Sequence, residues 1–323
     1  MLIRVPDYFE NFKCLAGACP HSCCIGWEVV LDEDSVALYK GVEGSLGEKL
    51  RAAMTVDAEG DVCFPLNGGR CPFLDGENLC EIHRQLGQEA TSVTCREHPR
   101  FTEDFGAFRE ITLCASCPAA RDLLLASREP LTFVEQETEE EAEEADEWLE
   151  VLLPMREELM AVLADRGESV HARLGEFLRL AEEQQAWLDE EEGETPCGGE
   201  VCLPAEAMET LAQLEILEAD WRDVLKQAAE TEPTAQDETL LERIAVYFAF
   251  RYLLKAVNDG DLLNRARFVA FSVLVVERLA GVLGLGEALR RYSCELEHSD
   301  ENMERLLECL ADGHLCMLVP VND

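Results

Sequence analysis

Residues 12–27 read FKCLAGACPHSCCIGW, with cysteines at 14, 19, 23 and 24. Cys63, Cys71, Cys80, Cys95, Cys114 and Cys117 follow, so ten of the chain's fifteen cysteines fall within its first 117 residues. So many free sulfurs in one short segment would be a chemical liability, which leaves oxidation in pairs or ligation of metal. The chain opens MLIRVPDYFENFKC, with no basic leader, apolar h-region or small-residue cleavage site, and this predicts a reduced, cytoplasmic setting. There the pattern reads as metal or iron-sulfur ligation, and the segment as an irregular domain shaped by its metal.

The candidate ligands form four groups: Cys14, Cys19, Cys23 and Cys24; Cys63, Cys71 and Cys80; Cys95; Cys114 and Cys117. Close spacing lets one loop supply several thiolates to a centre, while distant groups close the remaining positions and staple the fold. Proline follows Cys19, Cys71 and Cys117, as it follows cluster cysteines in ferredoxins, and this favours iron, with zinc as the alternative. Cys23 and Cys24 are neighbours, so one can ligate while the other packs or serves a second centre. His21, His83 and His98 are available as imidazole ligands or as surface residues. The C-x3-C-x2-C spacing of radical enzymes begins at Cys19 and Cys23 but fails at Gly26. Cys197, Cys202, Cys294, Cys309 and Cys316 read as structural.

Charge divides the chain. Residues 1–130 carry 12 basic and 21 acidic side chains, residues 131–323 carry 15 and 46, and the net charge is -40. Such a field repels phosphate backbones and anionic lipid, so nucleic acid and membrane surfaces are excluded as partners and a cationic protein is favoured. The longest apolar stretch, FVAFSVLVV at 268–276, ends at Glu277 and Arg278, well short of the roughly 18 residues of a membrane span. EQETEEEAEEADE, residues 135–147, reads as an acidic linker or as the first turn of the next helix, where carboxylates meet the positive end of the dipole. It separates a cysteine domain at 1–134 from a helical domain at 148–323.

The first of these is rich in Pro and Gly turn signals. Strands are expected at WEVVL, 27–31, and in a pair through FGAFREITL, 105–113; Asp32 or Asp34 caps a helix over SVALYKGV. Helical periodicity runs near 148–166, 171–191, 205–229, 237–257, 261–284 and 300–311. The expected fold is therefore mainly α: an irregular cysteine-rich metal-binding N-terminal domain with few short strands, then an all-α helical domain.

PDYFENFKCLAGACPHSCCIGWEVVLD at 6–32, CPFLDGENLCEIHRQLG at 71–87, TSVTCREHPR at 91–100 and CASCP at 114–118 together resemble the flagellin lysine N-methylase family and its zinc- or iron-chelating cysteine-cluster domain. YFAFRYLLKAVNDGD at 247–261 is similar to that family's C-terminal helical signature. The resemblance implies methyl transfer from S-adenosylmethionine to lysine ε-amines of flagellin or a similar protein, by an enzyme with an iron-sulfur cluster, expected as 4Fe-4S. On that basis Asp7, Tyr8 and Glu28 are catalytic candidates, placed to attract a lysine and lower its pKa, with ordinary surface roles as the alternative. Arg96 and Arg100 flank Cys95 and suit the carboxylate of S-adenosylmethionine or the negative charge of a cluster. Tyr247, Arg251 and Lys255 recur every four residues; they read as an exposed salt-linked stripe or as the lining of a cofactor cleft. The competing reading is a non-enzymatic zinc- or iron-binding module whose acidic helical part recruits a basic protein.

Overall fold

The computed structural model describes the chain except residues 27, 58–59, 146, 191–198 and 321–323, and except the side chains of 199–200 and 318–320. Contacts divide it into two compact units, one of Met1–Asn11, Thr102–Ser116 and Arg121–Asp323, the other of Phe12–Phe101 with Cys117–Ala120. This division does not coincide with a boundary at 135–147. Its cause is strand pairing: β1 (Leu2–Pro6) lies between β6 (Phe108–Leu113), which runs parallel to it, and β7 (Phe133–Glu137), which runs antiparallel. With β5 (Arg100–Asp104) at one edge, the sheet order is β5-β6-β1-β7. The acidic run thus begins as a strand, and Glu135 pairs with Arg4 at 2.9 Å.

The smaller unit is built on a three-stranded antiparallel sheet of β2 (Val29–Val30), β4 (Val62–Phe64) and β3 (Thr55–Val56), with helices α1 (Glu33–Gly41), α2 (Gly44–Ala53), α3 (Glu81–Leu86) and α4 (Val93–Glu97). Asp32 is the residue that caps α1. Its carboxylate accepts from the Ser35 N–H at 2.9 Å, the Ser35 hydroxyl at 2.7 Å and the Val93 N–H at 2.9 Å, tying α1 to α4. A small core of Val29, Leu31, Tyr39, Leu46, Leu50, Phe64, Phe73 and Ile82 fills the unit, and Cys71 and Cys80 pack against it.

Helices dominate the larger unit, so the mainly α expectation holds. After α5 (Pro118–Leu124) come α6 (Glu147–Ala164), α7 (Val170–Leu188), α8 (Ala207–Gln213), α9 (Trp221–Glu230), α10 (Glu238–Tyr252), α11 (Leu262–Leu283), α12 (Leu285–Glu297) and α13 (Asp300–Ala311), with a short β8 (Gly199–Val201) and β9 (Leu318–Pro320) pair. The single helix expected at 205–229 is two, because the Leu217 and Glu218 N–H groups go to the Glu295 carboxylate and that of Glu215 to Asn302. Helix α12 was not among the expected elements. Helices α10 and α11 are buried almost all round, and Phe248 meets Phe268 and Tyr292 edge-on at 6.2 and 6.0 Å between centroids. Phe133 of β7 stacks on Phe250 at 3.8 Å, fixing sheet to helices. Among the described residues no helix is long and apolar enough to cross a membrane.

Beneath the sheet, Arg156 donates to Glu110 at 2.6 Å with both side chains almost wholly buried. Removing one member of such a pair leaves an uncompensated charge, so Glu110→Ala should cost about 3–5 kcal/mol in urea unfolding, and Glu110→Ala with Arg156→Met should recover most of it. A loss below about 1 kcal/mol would show the pair to be solvated. In the smaller unit burial works against the Asp32 charge, but the Val93 and Ser35 hydrogen bonds outweigh it and hold the carboxyl down to about 2, from 3.8. Asp32→Ala should therefore cost about 1 kcal/mol at neutral pH. The difference from wild type should be complete above pH 3.8 and vanish as pH falls through 2.

Candidate metal centre

The first cysteine loop folds back on the 71–80 segment. Cys71 N–H donates to the Cys24 carbonyl at 2.8 Å and Gly26 N–H to that of Gly69 at 3.0 Å, so residues 24–26 run beside 69–71. Gly17 is needed where the loop crosses residues 77–79, since a Cβ there would lie 2.7 Å from the Glu77 carbonyl oxygen. Asp75 shapes the second loop by accepting from the Glu77 and Leu79 N–H groups, both at 2.9 Å, and by pairing with Arg84 at 2.7 Å. Cys80 then stands at the N-cap position of α3, while Cys95 sits inside α4 and its N–H donates to the capping Ser92 hydroxyl at 3.3 Å.

These elements bring Cys24, Cys71, Cys80 and Cys95 within electrostatic reach of one another. Burial first, then neighbouring sulfurs, push Cys71 up to about 12 and Cys95 up to about 11, and raise Cys80. Cys23 and Cys24 share a proton: the Cys23 thiol donates to Cys24, which raises Cys23 and, with Ser22 and Arg70 helping against burial, lowers Cys24 to about 7. Cys14 also acts on Cys23, and Cys14 and Cys19 both act on Cys117. Eight of the ten expected ligands are thus electrostatic neighbours in one unit. All fourteen described cysteines are free thiols, and Cys197 lies outside the described residues.

Two expected ligands stand apart. Cys63 is buried in β4, its sulfur 3.7 Å from the Thr55 hydroxyl and 3.8 Å from Glu28. Cys114 belongs to the larger unit, where its sulfur lies 3.1 Å from the Ser116 hydroxyl, 3.2 Å from that of Ser293, 3.7 Å from His298 Nε2 and 4.0 Å from Glu297 Oε2. Among the described residues no three Cys, His, Asp or Glu side chains stand as a closed ligand set. The donor chemistry nevertheless fits a cation. Sulfurs that raise one another's pKa become thiolates together only when positive charge is shared among them, and a thiolate-binding metal supplies it.

The other expected site residues divide between the units. Arg96 donates to the Thr91 carbonyl at 2.7 Å and to that of Glu89 at 3.3 Å, so it braces its own loop, and Arg100 lies over the Phe12 ring at 5.3 Å. Glu28 belongs to the same unit. In the larger unit Asp7 accepts from the Thr132 hydroxyl at 3.1 Å and faces Arg243 at 3.9 Å, while Tyr8 is buried. An exposed stripe on α10 does not exist: Tyr247 and Arg251 are buried because apolar residues surround this helix on every side. Arg251 pairs with Glu297 at 2.6 Å and donates to the Thr112 hydroxyl at 2.7 Å; Tyr247 receives the Ala115 N–H at 3.2 Å. Only Lys255 keeps partial exposure, paired with Glu103 at 2.5 Å. Ser293, Glu297 and His298 were missed with α12, although SCELEH, 293–298, is dense in polar groups.

In the metal-free protein Cys24 should be the first thiol alkylated, with its rate half-maximal near pH 7. Cys23→Ala removes the donor to the thiolate, so the midpoint should rise toward about 8.5. Mass-spectrometric alkylation profiles read both values, and an unmoved midpoint would refute the shared proton.

The family model CxxCxxCC, described as a zinc- or iron-chelating domain, matches residues 13–148. The lysine-N-methylase of Salmonella choleraesuis is 27% identical over 146 residues, which are 42% of this chain and 35% of that protein; the one of Salmonella typhimurium gives the same figures. The flagellar biosynthetic protein FliU of Salmonella muenchen is 26% identical over 148 residues, 84% of its own length. The match thus spans about a third of either lysine-N-methylase. No solved structure matches the chain. The resemblance carried by the cysteine motifs thus extends to this family model, over residues 13–148, and to proteins named lysine-N-methylase, over a similar length of chain.

Proposed function

We propose that this protein is an S-adenosylmethionine-dependent protein-lysine N-methyltransferase of the cytoplasm, acting on flagellin or a similar lysine-bearing protein, with an iron-sulfur cluster bound by its N-terminal cysteines. The observation that carries the reading is the gathering of Cys24, Cys71, Cys80 and Cys95, with Cys14, Cys19, Cys23 and Cys117 near them, in a chain whose relatives include proteins named lysine-N-methylase. These eight are the proposed ligands, and Cys63 and Cys114 act as structural thiols.

Each part of the chain has a task in this reading. Cys24, already acidic, gives the first thiolate, and Arg70 supports its charge. When bound, an iron-sulfur centre supplies electron transfer or a Lewis-acidic iron. Methyl transfer needs a neutral lysine amine, because an ammonium has no lone pair for the sulfonium methyl. Positioning donor and acceptor in line at about 3 Å supplies much of the acceleration. The field of the -40 charge draws a lysine-bearing protein toward the enzyme and is screened by salt.

Anaerobic purification tests the metal. The protein is expected to be brown, with iron and acid-labile sulfide in cluster stoichiometry, and Cys71→Ser or Cys95→Ser should bleach it or unfold the cysteine unit. Incubation with labelled S-adenosylmethionine and flagellin should yield methyllysine. A colourless zinc protein without heat of binding for S-adenosylmethionine would instead be the non-enzymatic module that recruits a basic partner.

A further inference from the structure

Where α6 ends and where α7 and α10 begin, the larger unit holds a cavity of about 320 Å³ whose lining includes Arg166, Glu168, Arg173, Glu238 and Glu242. Cavities of this size take small molecules. Arg173 is buried, its side chain 5% exposed. Its Nη1 is spent on the Leu163 carbonyl at 2.5 Å and on Glu242 at 3.1 Å. The other edge of the guanidinium, Nε with Nη2, donates to none of the described residues, and Nε is itself inaccessible. Leaving a buried donor unmatched is unfavourable enough that folds rarely keep one without use for it.

The neighbours define what this edge takes. The N–H groups of Nε and Nη2 are parallel and spaced for the two oxygens of one carboxylate. Glu242 is not that partner, because its Oε1 takes Arg166 Nη2 at 2.9 Å and its Oε2 takes Arg166 Nε at 2.8 Å and Arg173 Nη1. Two guanidinium groups therefore share one carboxylate and keep one positive charge between them. Glu168 and Glu238, both exposed, bring two negative charges to the same cavity, and Glu238 accepts the Val170 N–H at 2.6 Å on Oε2, leaving Oε1. A simple anion is drawn by Arg173 but repelled by these carboxylates, and a simple cation leaves the guanidinium edge unmatched. A molecule that carries a carboxylate and an ammonium on one carbon meets both conditions.

We propose that this cavity binds the α-amino-acid head group of a small molecule, its carboxylate accepting from Nε and Nη2 of Arg173 and its ammonium donating to Glu238 and Glu168. Two ligands share that head group: a free amino acid, and S-adenosylmethionine, whose methionine end carries it. The second assignment rests on the methylase reading. It gives the cofactor carboxylate to Arg173 and not to Arg96, whose guanidinium is held by the carbonyls of Glu89 and Thr91. Thr239 lines the same cavity but has its hydroxyl turned to Asp237 at 2.7 Å, so recognition is left to the charged groups.

The full-length protein is titrated calorimetrically with L-methionine and with S-adenosylmethionine, and with methionine lacking either its carboxylate or its ammonium. Each truncated analogue should bind at least about tenfold more weakly than methionine, since each forfeits charge-assisted hydrogen bonds. Arg173→Lys keeps a cation for Glu242 but loses the fork, and should lower affinity about tenfold. Glu238→Gln, at an exposed position that tolerates change if Arg173→Lys does not fold, should weaken methionine while leaving the analogue without an ammonium unaltered. Heat with S-adenosylmethionine, diminished in the variants, identifies the cofactor as occupant; heat with methionine and none with S-adenosylmethionine identifies a free amino acid. No heat with either, equal binding of both truncated analogues and methionine, or an affinity unchanged in either folded variant each overturn the site. Methyllysine formation with an unchanged KM for S-adenosylmethionine in Glu238→Gln removes this inference and leaves the methylase; methionine binding lost in the variants, without methyl transfer, does the reverse.

Discussion

Burial of several thiols beside one another governs the smaller unit. Among the described residues its core cluster has eight buried members and its sheet strands of two or three residues, little apolar burial with which to hold long loops in place. The loops that carry the cysteines are instead fixed by a few backbone pairings, by Asp75 and by the Asp32 bridge between α1 and α4. Burial first, and the neighbouring sulfurs with it, hold the Cys71, Cys80 and Cys95 thiols up, while Cys24 is lowered. A cation held at the proposed centre would turn that unfavourable arrangement into a cross-link between the loops.

The larger unit solves a different electrostatic problem. Although acid outnumbers base greatly over the chain, its helices bury several arginines: Arg156, Arg173, Arg243, Arg251 and Arg290 are all nearly inaccessible. Each is matched, Arg173 to Glu242, Arg243 to the carbonyls of Leu124 and Glu129, Arg290 to Glu218 and Glu287. The guanidinium fork suits such multiple donation. Surface carboxylates are left to set the external field, while the interior stays close to neutral.

Much of this was legible in the residues. The Asp32 cap and most helices follow from spacing and composition alone, whereas the boundary expected at 135–147 is not where contacts divide the chain, because β1 pairs with β6 and β7. Strand β7 was hidden because Glu135 and Glu137 are exposed and only Glu135 is offset, by Arg4, so the charge pattern masked an extended segment. Helix α12 was hidden by Gly284 and Gly286, although Leu285, Ala288, Leu289, Tyr292 and Leu296 keep helical spacing. Four-residue spacing places Tyr247, Arg251 and Lys255 on one face but does not say whether that face meets water; the apolar residues on every other side of α10 carried that information. Which cysteines are neighbours depends on loop paths that spacing does not encode, and so Cys63 and Cys114 were grouped with the rest.

Strand β1 pairs in parallel with β6, and between Pro6 and Phe108 the chain builds nearly the whole cysteine unit. The amino-terminal strand must therefore wait for a partner made about a hundred residues later, and the entropy of closing that gap depends on how ordered the intervening chain is. An insert already clamped by a metal behaves as a short tether, whereas a slack one leaves the first strand searching. A metal bound at the proposed centre would thereby reach the helical half of the protein through chain connectivity.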